Sequence, residues 1–154
     1  MCYTDYSKRK EIDLMKITIN FDMDGTIADF YGAPEWLEAL NEQNTAPYEQ
    51  ANPLMNFRAL AQALHAVQRR GHRIVIISWG SKRATPDFLN DIETAKRDWL
   101  IRHLPSVVWD EIFVVPYGTP KQTLSDGILF DDEEPNREAW GEGAHTPDEI
   151  LEVL

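Results

Sequence analysis

Cysteine occurs once, at Cys2, so no disulfide can form within the chain, and the fold is expected to rest on a packed core in a reducing compartment. Long apolar runs are also missing. Nothing approaches the roughly 20 residues of a membrane span, and the polar first residues lack the apolar stretch of a secretory leader. Both absences point to the cytoplasm and to no membrane partner. Basic residues are few, 15 Lys and Arg against 26 Asp and Glu, and the formal net charge of -11 repels phosphate backbones. With no basic stripe, extended nucleic acid is not expected as a partner. His65, His72, His103 and His145 show no metal-ligand spacing and read as surface or helix-end residues.

What remains is a chain of 154 residues with 43% hydrophobic content, enough for one domain with a real core. Residues 1–15 are polar and charged without periodicity and are expected to form a tail, with residues 16–154 forming the domain. Residues 73–78 (RIVIIS), 112–115 (IFVV) and 128–130 (ILF) are apolar runs of the kind that strands covered on both faces require. Phe57, Leu60, Leu64 and Val67 recur at helical spacing in a helix beginning at Asn52-Pro53 and stopped by Gly71. Phe88, Ile92, Ala95 and Trp99 do so over residues 86–104, and Pro105 ends that helix. A short helix follows Asp131-Asp132, and Thr146-Pro147-Asp148-Glu149 has the form of a capping box. Strands alternating with helices predict an α/β fold, a Rossmann-like doubly wound parallel sheet. Residues 27–56, with one short helix near Trp36, Leu37 and Leu40, are too irregular for core and read as a small cap insertion after the first strand.

The first strand, within residues 16–26 (KITINFDMDGT), is the stretch that the rest serves. Ile17, Ile19 and Phe21 alternate with Thr18 and Asn20, so its second face is only partly apolar. It ends in Asp22 and Asp24, and Gly25 lets the chain turn away so that both carboxylates face one opening. Two acids that close repel, which calls for a cation or a shared proton. A calcium loop is excluded by spacing, since it needs glycine at position six and Glu at twelve, whereas Gly25 is fourth and the twelfth residue is Ala33.

In a doubly wound sheet, ligands gather where the strands' carboxyl ends open into a crevice. The polar residues expected there are Asp22 and Asp24, Ser78, and Asp131 and Asp132, with Lys121 in the loop before the last pair. Carboxylates of this kind suit magnesium, and the hydroxyl and ammonium suit phosphoryl oxygens. Each residue alone also has a plainer role. Asp22 and Asp24 fit a solvated turn, Asp131-Asp132 a helix N-terminus, Ser78 a turn hydroxyl and Lys121 open surface. Their conjunction in this order is what argues for a site.

DMDGT at 22–26, Ser78 after an apolar strand, Lys121, and Asp131-Asp132 after another strand resemble the haloacid dehalogenase superfamily of aspartate-based phosphatases, over about residues 16–140. ADF at 28–30, AKRDWLIRHL at 95–104 and Lys121 ten positions before Asp131 are similar to its 5'(3')-deoxyribonucleotidase branch and that branch's phage and bacterial relatives, which usually have Thr-Ser-Pro where Ser78-Trp79-Gly80 stands here. The resemblance implies that Asp22 is the nucleophile that forms an aspartyl-phosphate and that Asp24 acts as acid and then base. It implies a Mg2+ ion held by Asp22, the Asp24 carbonyl and one or both of Asp131 and Asp132, with Ser78 and Lys121 on the phosphoryl group. Phe30 matches the aromatic near the base in nucleotidases, and Trp79 and Trp99 are the tryptophans placed to line the site. The implied activity is magnesium-dependent hydrolysis of phosphomonoesters, small nucleotides above all. A polynucleotide 3'-phosphatase and a non-catalytic relative that binds a metal or phospholigand are the alternatives.

Overall fold

The computed structural model describes residues 16–154, and the tail expected at residues 1–15 lies outside the described residues. In chain order the elements are β1 (Thr18–Phe21), β2 (Ala28–Asp29), α1 (Trp36–Asn41), α2 (Ala46–Gln50), β3 (Asn52–Pro53), α3 (Phe57–Arg69), β4 (Arg73–Trp79), α4 (Pro86–His103), β5 (Glu111–Val115), β6 (Ile128–Phe130), α5 (Glu134–Trp140), β7 (Ala144–His145) and α6 (Ile150–Val153). The main sheet has the order β5-β4-β1-β6-β7 with every neighbouring pair parallel, the expected doubly wound α/β arrangement. The chain runs outward from β1 through β4 to β5, then returns to the other side of β1 for β6. That reversal puts the crevice of the sheet at the carboxyl ends of β1 and its neighbours.

β1 is central because its side chains suit both faces. Ile19 and Phe21 are fully buried against Leu60, Leu64 and Val67 of α3, with Ile150 and Val153 of α6 in the same cluster. Full burial of each such side chain stabilises by roughly 1.5–3 kcal/mol. On the alternate face Asn20 is also fully buried, and its amide donates to Asp126 O at 2.7 Å and Ile128 O at 2.9 Å. The polar residue in the strand therefore holds the approach to β6, rather than facing water. α3 starts later than its pattern suggests: Pro53 lies in β3, and Asn56 caps the helix by accepting from the amides of Arg58 and Ala59. His72 closes the end of α3, its amide donating to Val67 O at 3.1 Å, as one of the two roles expected of it, but it is buried rather than at the surface and its ring accepts from Ile17 N at 3.1 Å. β7 is an addition that its two residues gave no periodicity to find.

Residues 27–56 do leave the sheet, but they are not irregular throughout. β2 and β3 pair antiparallel and close the base of the insertion. Phe30 and Tyr48 are buried with Phe88, Ile92 and Ala95 of α4 and Val114 of β5, so the insertion packs as a small second core. Among the described residues, no helix is long and apolar enough to cross a membrane.

Candidate active site

The chain leaves β1 through a turn that aims two carboxylates. Asp22 N donates to Phe130 O at 2.9 Å, which keeps Asp22 in the ladder between β1 and β6. Met23, 2% exposed, is anchored in the core, and its carbonyl accepts from the amides of Thr26, Ile27 and Ala28 at 3.0 Å each. Asp22 and Asp24, on either side of it in sequence, both line one cleft. Gly25 has φ +80°, and a Cβ there would stand 2.3 Å from Asp132 Oδ2, so glycine serves both the turn and the approach of the Asp132 carboxylate that follows β6.

Lys121, 3% exposed, bridges the ends of β1 and β6. Its ammonium donates to Asp22 Oδ1 at 2.9 Å and Asp131 Oδ2 at 2.7 Å. Burial works against its charge, but Asp22 and Asp131 outweigh burial and hold its pKa above the ordinary lysine value. Asp131, fully buried, also accepts from Glu133 N at 2.9 Å and Asn136 Nδ2 at 3.2 Å. Asp132 has no ion pair among the described residues. One oxygen from each of Asp22, Asp131 and Asp132 lies within 4.8 Å of the others. Burial, and then the charge of Asp22, push Asp132 up to about 8 and raise Asp131 as well. An all-oxygen cluster whose members resist ionising together suits a hard divalent cation such as magnesium.

The other side of the cleft rests on a residue that sequence reasoning missed. Lys96 of α4 is 1% exposed, and its three donors go to Asp24 Oδ2 at 3.0 Å, Ser78 Oγ at 2.5 Å and Trp79 O at 2.8 Å. Its ammonium also lies 4.9 Å from the centre of the Tyr48 ring. Burial raises the pKa of Asp24, Lys96 lowers it and Asp22 raises it again, with a net rise. The sequence carried a signal for Lys96, which stands four residues after Ile92 and three before Trp99, inside the apolar stripe of α4. Thr26 was missed too. Its hydroxyl donates to Asp22 Oδ2 at 2.8 Å and accepts from Asp132 N at 3.2 Å, so it couples the two strand ends.

The cleft is lined by Asp22, Asp24, Lys121, Glu133 and Asn136, with Gly80 and the rings of Tyr31, Trp79 and Tyr117. Ser78 is fully buried beside it, at the end of β4. Trp79 is in the lining as expected, with Lys121 Nζ 5.4 Å from its ring centre. Trp99 is not, being 1% exposed and donating to Ala51 O within the core. Phe30 lies outside the lining as well, because it is 3% exposed and stacked on Tyr48 at 4.6 Å. The ring that the insertion presents to the cleft is its neighbour, Tyr31.

No protein-family model and no curated protein matches the sequence. Among solved structures, the chain is similar in fold to a D,D-heptose 1,7-bisphosphate phosphatase from Burkholderia thailandensis, with TM-score 0.53 and 15% sequence identity over 90% of this chain and 94% of that one.

Proposed function

We propose that the protein is a magnesium-dependent phosphomonoester hydrolase that works through an aspartyl-phosphate and takes small nucleotides in the cytoplasm. The observation that carries this reading is the meeting of Asp22, Asp131 and Asp132 at adjacent strand ends, with Lys121 bridging the first two. The structural neighbour is a phosphatase, which agrees with phosphoester hydrolysis.

Lys121 and Thr26 each hold one oxygen of Asp22, which fixes the carboxylate in the cleft. As nucleophile, Asp22 attacks phosphorus, the bond from phosphorus to the leaving oxygen breaks, and Asp24 gives that oxygen its proton. The raised pKa of Asp24 favours the protonated form that this step needs. Asp24 then takes a proton from water, the water oxygen attacks phosphorus, the bond to Asp22 breaks and inorganic phosphate leaves. Lys96 already donates to Ser78 Oγ, so the Ser78 hydroxyl hydrogen is free to be given to a phosphoryl oxygen.

Asp22, Asp132 and the Asp24 carbonyl would hold the magnesium, and Asp131, whose oxygens accept from Lys121, Glu133 N and Asn136, would complete or orient the set. When bound, the metal supplies charge neutralisation at the phosphoryl oxygens. The preference for nucleotides is supported by the aromatic lining of Tyr31, Trp79 and Tyr117. A panel of phosphomonoesters assayed with magnesium and with chelator tests the reading. Phosphate release should require the metal, and a folded protein with magnesium that hydrolyses none of them would overturn it.

A further inference from the structure

We propose that Tyr31 and Tyr117 receive the leaving group of a monophosphate by a flat, uncharged face, and that the same rim turns away substrates bearing a second phosphoryl group; this rests on the phosphatase reading above. The cavity over Asp22, Asp24 and Lys121 holds about 60 Å³, against roughly 300–1,000 Å³ for pockets that enclose a whole small-molecule ligand. The phosphoryl group goes inside, and the leaving group stays at the rim. There it meets aromatic surface. Tyr31 is 48% exposed and Tyr117 50%, so each leaves much of its side chain open to a ligand. Their other contacts fix them in place. Tyr31 stands edge-on to Trp36 at 5.2 Å and Phe30 at 5.3 Å, and Tyr117 packs on Trp79 at 4.9 Å. The Trp79 indole is itself tied to Thr119 O at 2.8 Å. Rings held by their neighbours lose little freedom when a planar group stacks on them.

The charges of the rim point the same way. Among the described residues lining the cleft, Lys121 is the one cation, and Asp22 and Asp131 already hold it. The other charged groups in the lining are carboxylates, Asp22, Asp24 and Glu133. The nearest cations along the chain lie outside the lining: Arg137, next to Asn136, donates to Asp131 O at 3.0 Å and lines a depression with Glu134, Glu138 and Glu149, and Lys82 and Arg83 line another with Leu37 and Leu40. A second phosphoryl group at the rim would therefore meet Glu133 with no unpaired cation in the lining, whereas an uncharged ring meets three aromatic side chains. Burial and the carboxylates of Asp24, Asp132 and Glu133 raise the Tyr31 phenol, so it stays protonated and adds no charge of its own.

The test uses the full chain with magnesium on acetyl phosphate, a nucleoside 5'-monophosphate, fructose 6-phosphate and fructose 1,6-bisphosphate. The nucleotide should exceed fructose 6-phosphate in kcat/KM by about tenfold or more, and the bisphosphate should be the poorer of the two sugar substrates. Tyr31→Ala and Tyr117→Ala should each lower the ratio of nucleotide to acetyl phosphate kcat/KM by about tenfold, and Tyr31→Phe and Tyr117→Phe should restore it. A ratio that neither alanine variant moves, or a preference for the bisphosphate, would overturn the assignment. If no substrate is hydrolysed at all, the phosphatase reading fails on its own. The rim is then read by calorimetric titration of Asp22→Asn with the nucleotide and with fructose 6-phosphate. Tighter nucleotide binding that Tyr31→Ala abolishes sustains the rim's role, and equal binding of the two ligands ends it.

Discussion

Two buried lysines divide the cleft into unlike halves. Lys121 sits between two carboxylates, Asp22 and Asp131, with Asp132 close by, so one ammonium faces three acids. Lys96 faces one carboxylate, Asp24, and two neutral oxygens, of Ser78 and Trp79. The first half is left with excess negative charge and the second is balanced. An excess of negative charge is where a divalent cation gains most, and a balanced pocket suits the proton carrier that Asp24 is proposed to be. The two lysines are alike in burial but differ in partners, and the partners set the chemistry of each half.

The sharpest way to break this division is at Asp22. Asp22→Asn keeps the shape but removes the attacking charge, so turnover should fall by at least about 10⁴-fold while unfolding stays cooperative; residual turnover near wild type would remove Asp22 from its role. The lysines come next. Removing one partner of a buried ion pair costs about 3–5 kcal/mol, so Lys121→Met and Lys96→Met should both lose stability on that scale in chelator, read from denaturant unfolding. Magnesium should return part of the loss for Lys121→Met, since it can neutralise Asp22, Asp131 and Asp132, and little for Lys96→Met. Equal rescue of both would mean that the halves are not electrostatically distinct. Activity should separate them as well. Lys96→Met should slow alkyl phosphates more than nitrophenyl phosphate, by about 10²-fold, because it removes the hydrogen bond that orients the Asp24 carboxyl, and on the proposed mechanism only a poor leaving group needs a proton from Asp24.

The same division marks what could be read from the sequence. The carboxylates of the Lys121 half were legible because they lie at strand ends, where apolar runs stop abruptly in Asp22, Asp131 and Asp132, and the order of these stops fits one sheet. In the Lys96 half Asp24 and Ser78 were legible for the same reason, but Lys96 itself was not, because it lies within a helix, where a long side chain among apolar neighbours reads as a stem lying along the surface. Only the tertiary packing of α4 against the end of β4 turns its ammonium toward Ser78 and Asp24. The insertion was legible in its extent but not in its packing. Adjacent aromatics at Phe30 and Tyr31 are equivalent by composition, and it is the 3₁₀ turn over Phe30–Gly32 that sends Phe30 inward to Tyr48 and leaves Tyr31 at the cleft. β7 and the late start of α3 show the usual limit, in which two-residue strands and cap positions are set by neighbours rather than by periodicity.

The smallest expected effect is also the one that tests how the Lys96 half is wired. Ser78 Oγ accepts from Lys96 at 2.5 Å and is fully buried, so its own hydrogen is left to give, on the proposed reading to a phosphoryl oxygen. Ser78→Ala removes that donor and leaves one Lys96 N–H without its acceptor. The expected result is a loss of about tenfold in kcat/KM, the scale of one hydrogen bond to a charged group. If Ser78 acts through Lys96 rather than independently, Ser78→Ala in the Lys96→Met background should cost less than it does alone. The difference should be about 0.5–3 kcal/mol, the coupling found for residues in direct contact. Full additivity in that double-mutant cycle would show that the serine and the lysine serve the cleft separately. A strong coupling would show that Asp24, Lys96 and Ser78 form one hydrogen-bonded unit spanning the ends of β1 and β4, in which the lysine orients both the proton carrier and the phosphoryl donor.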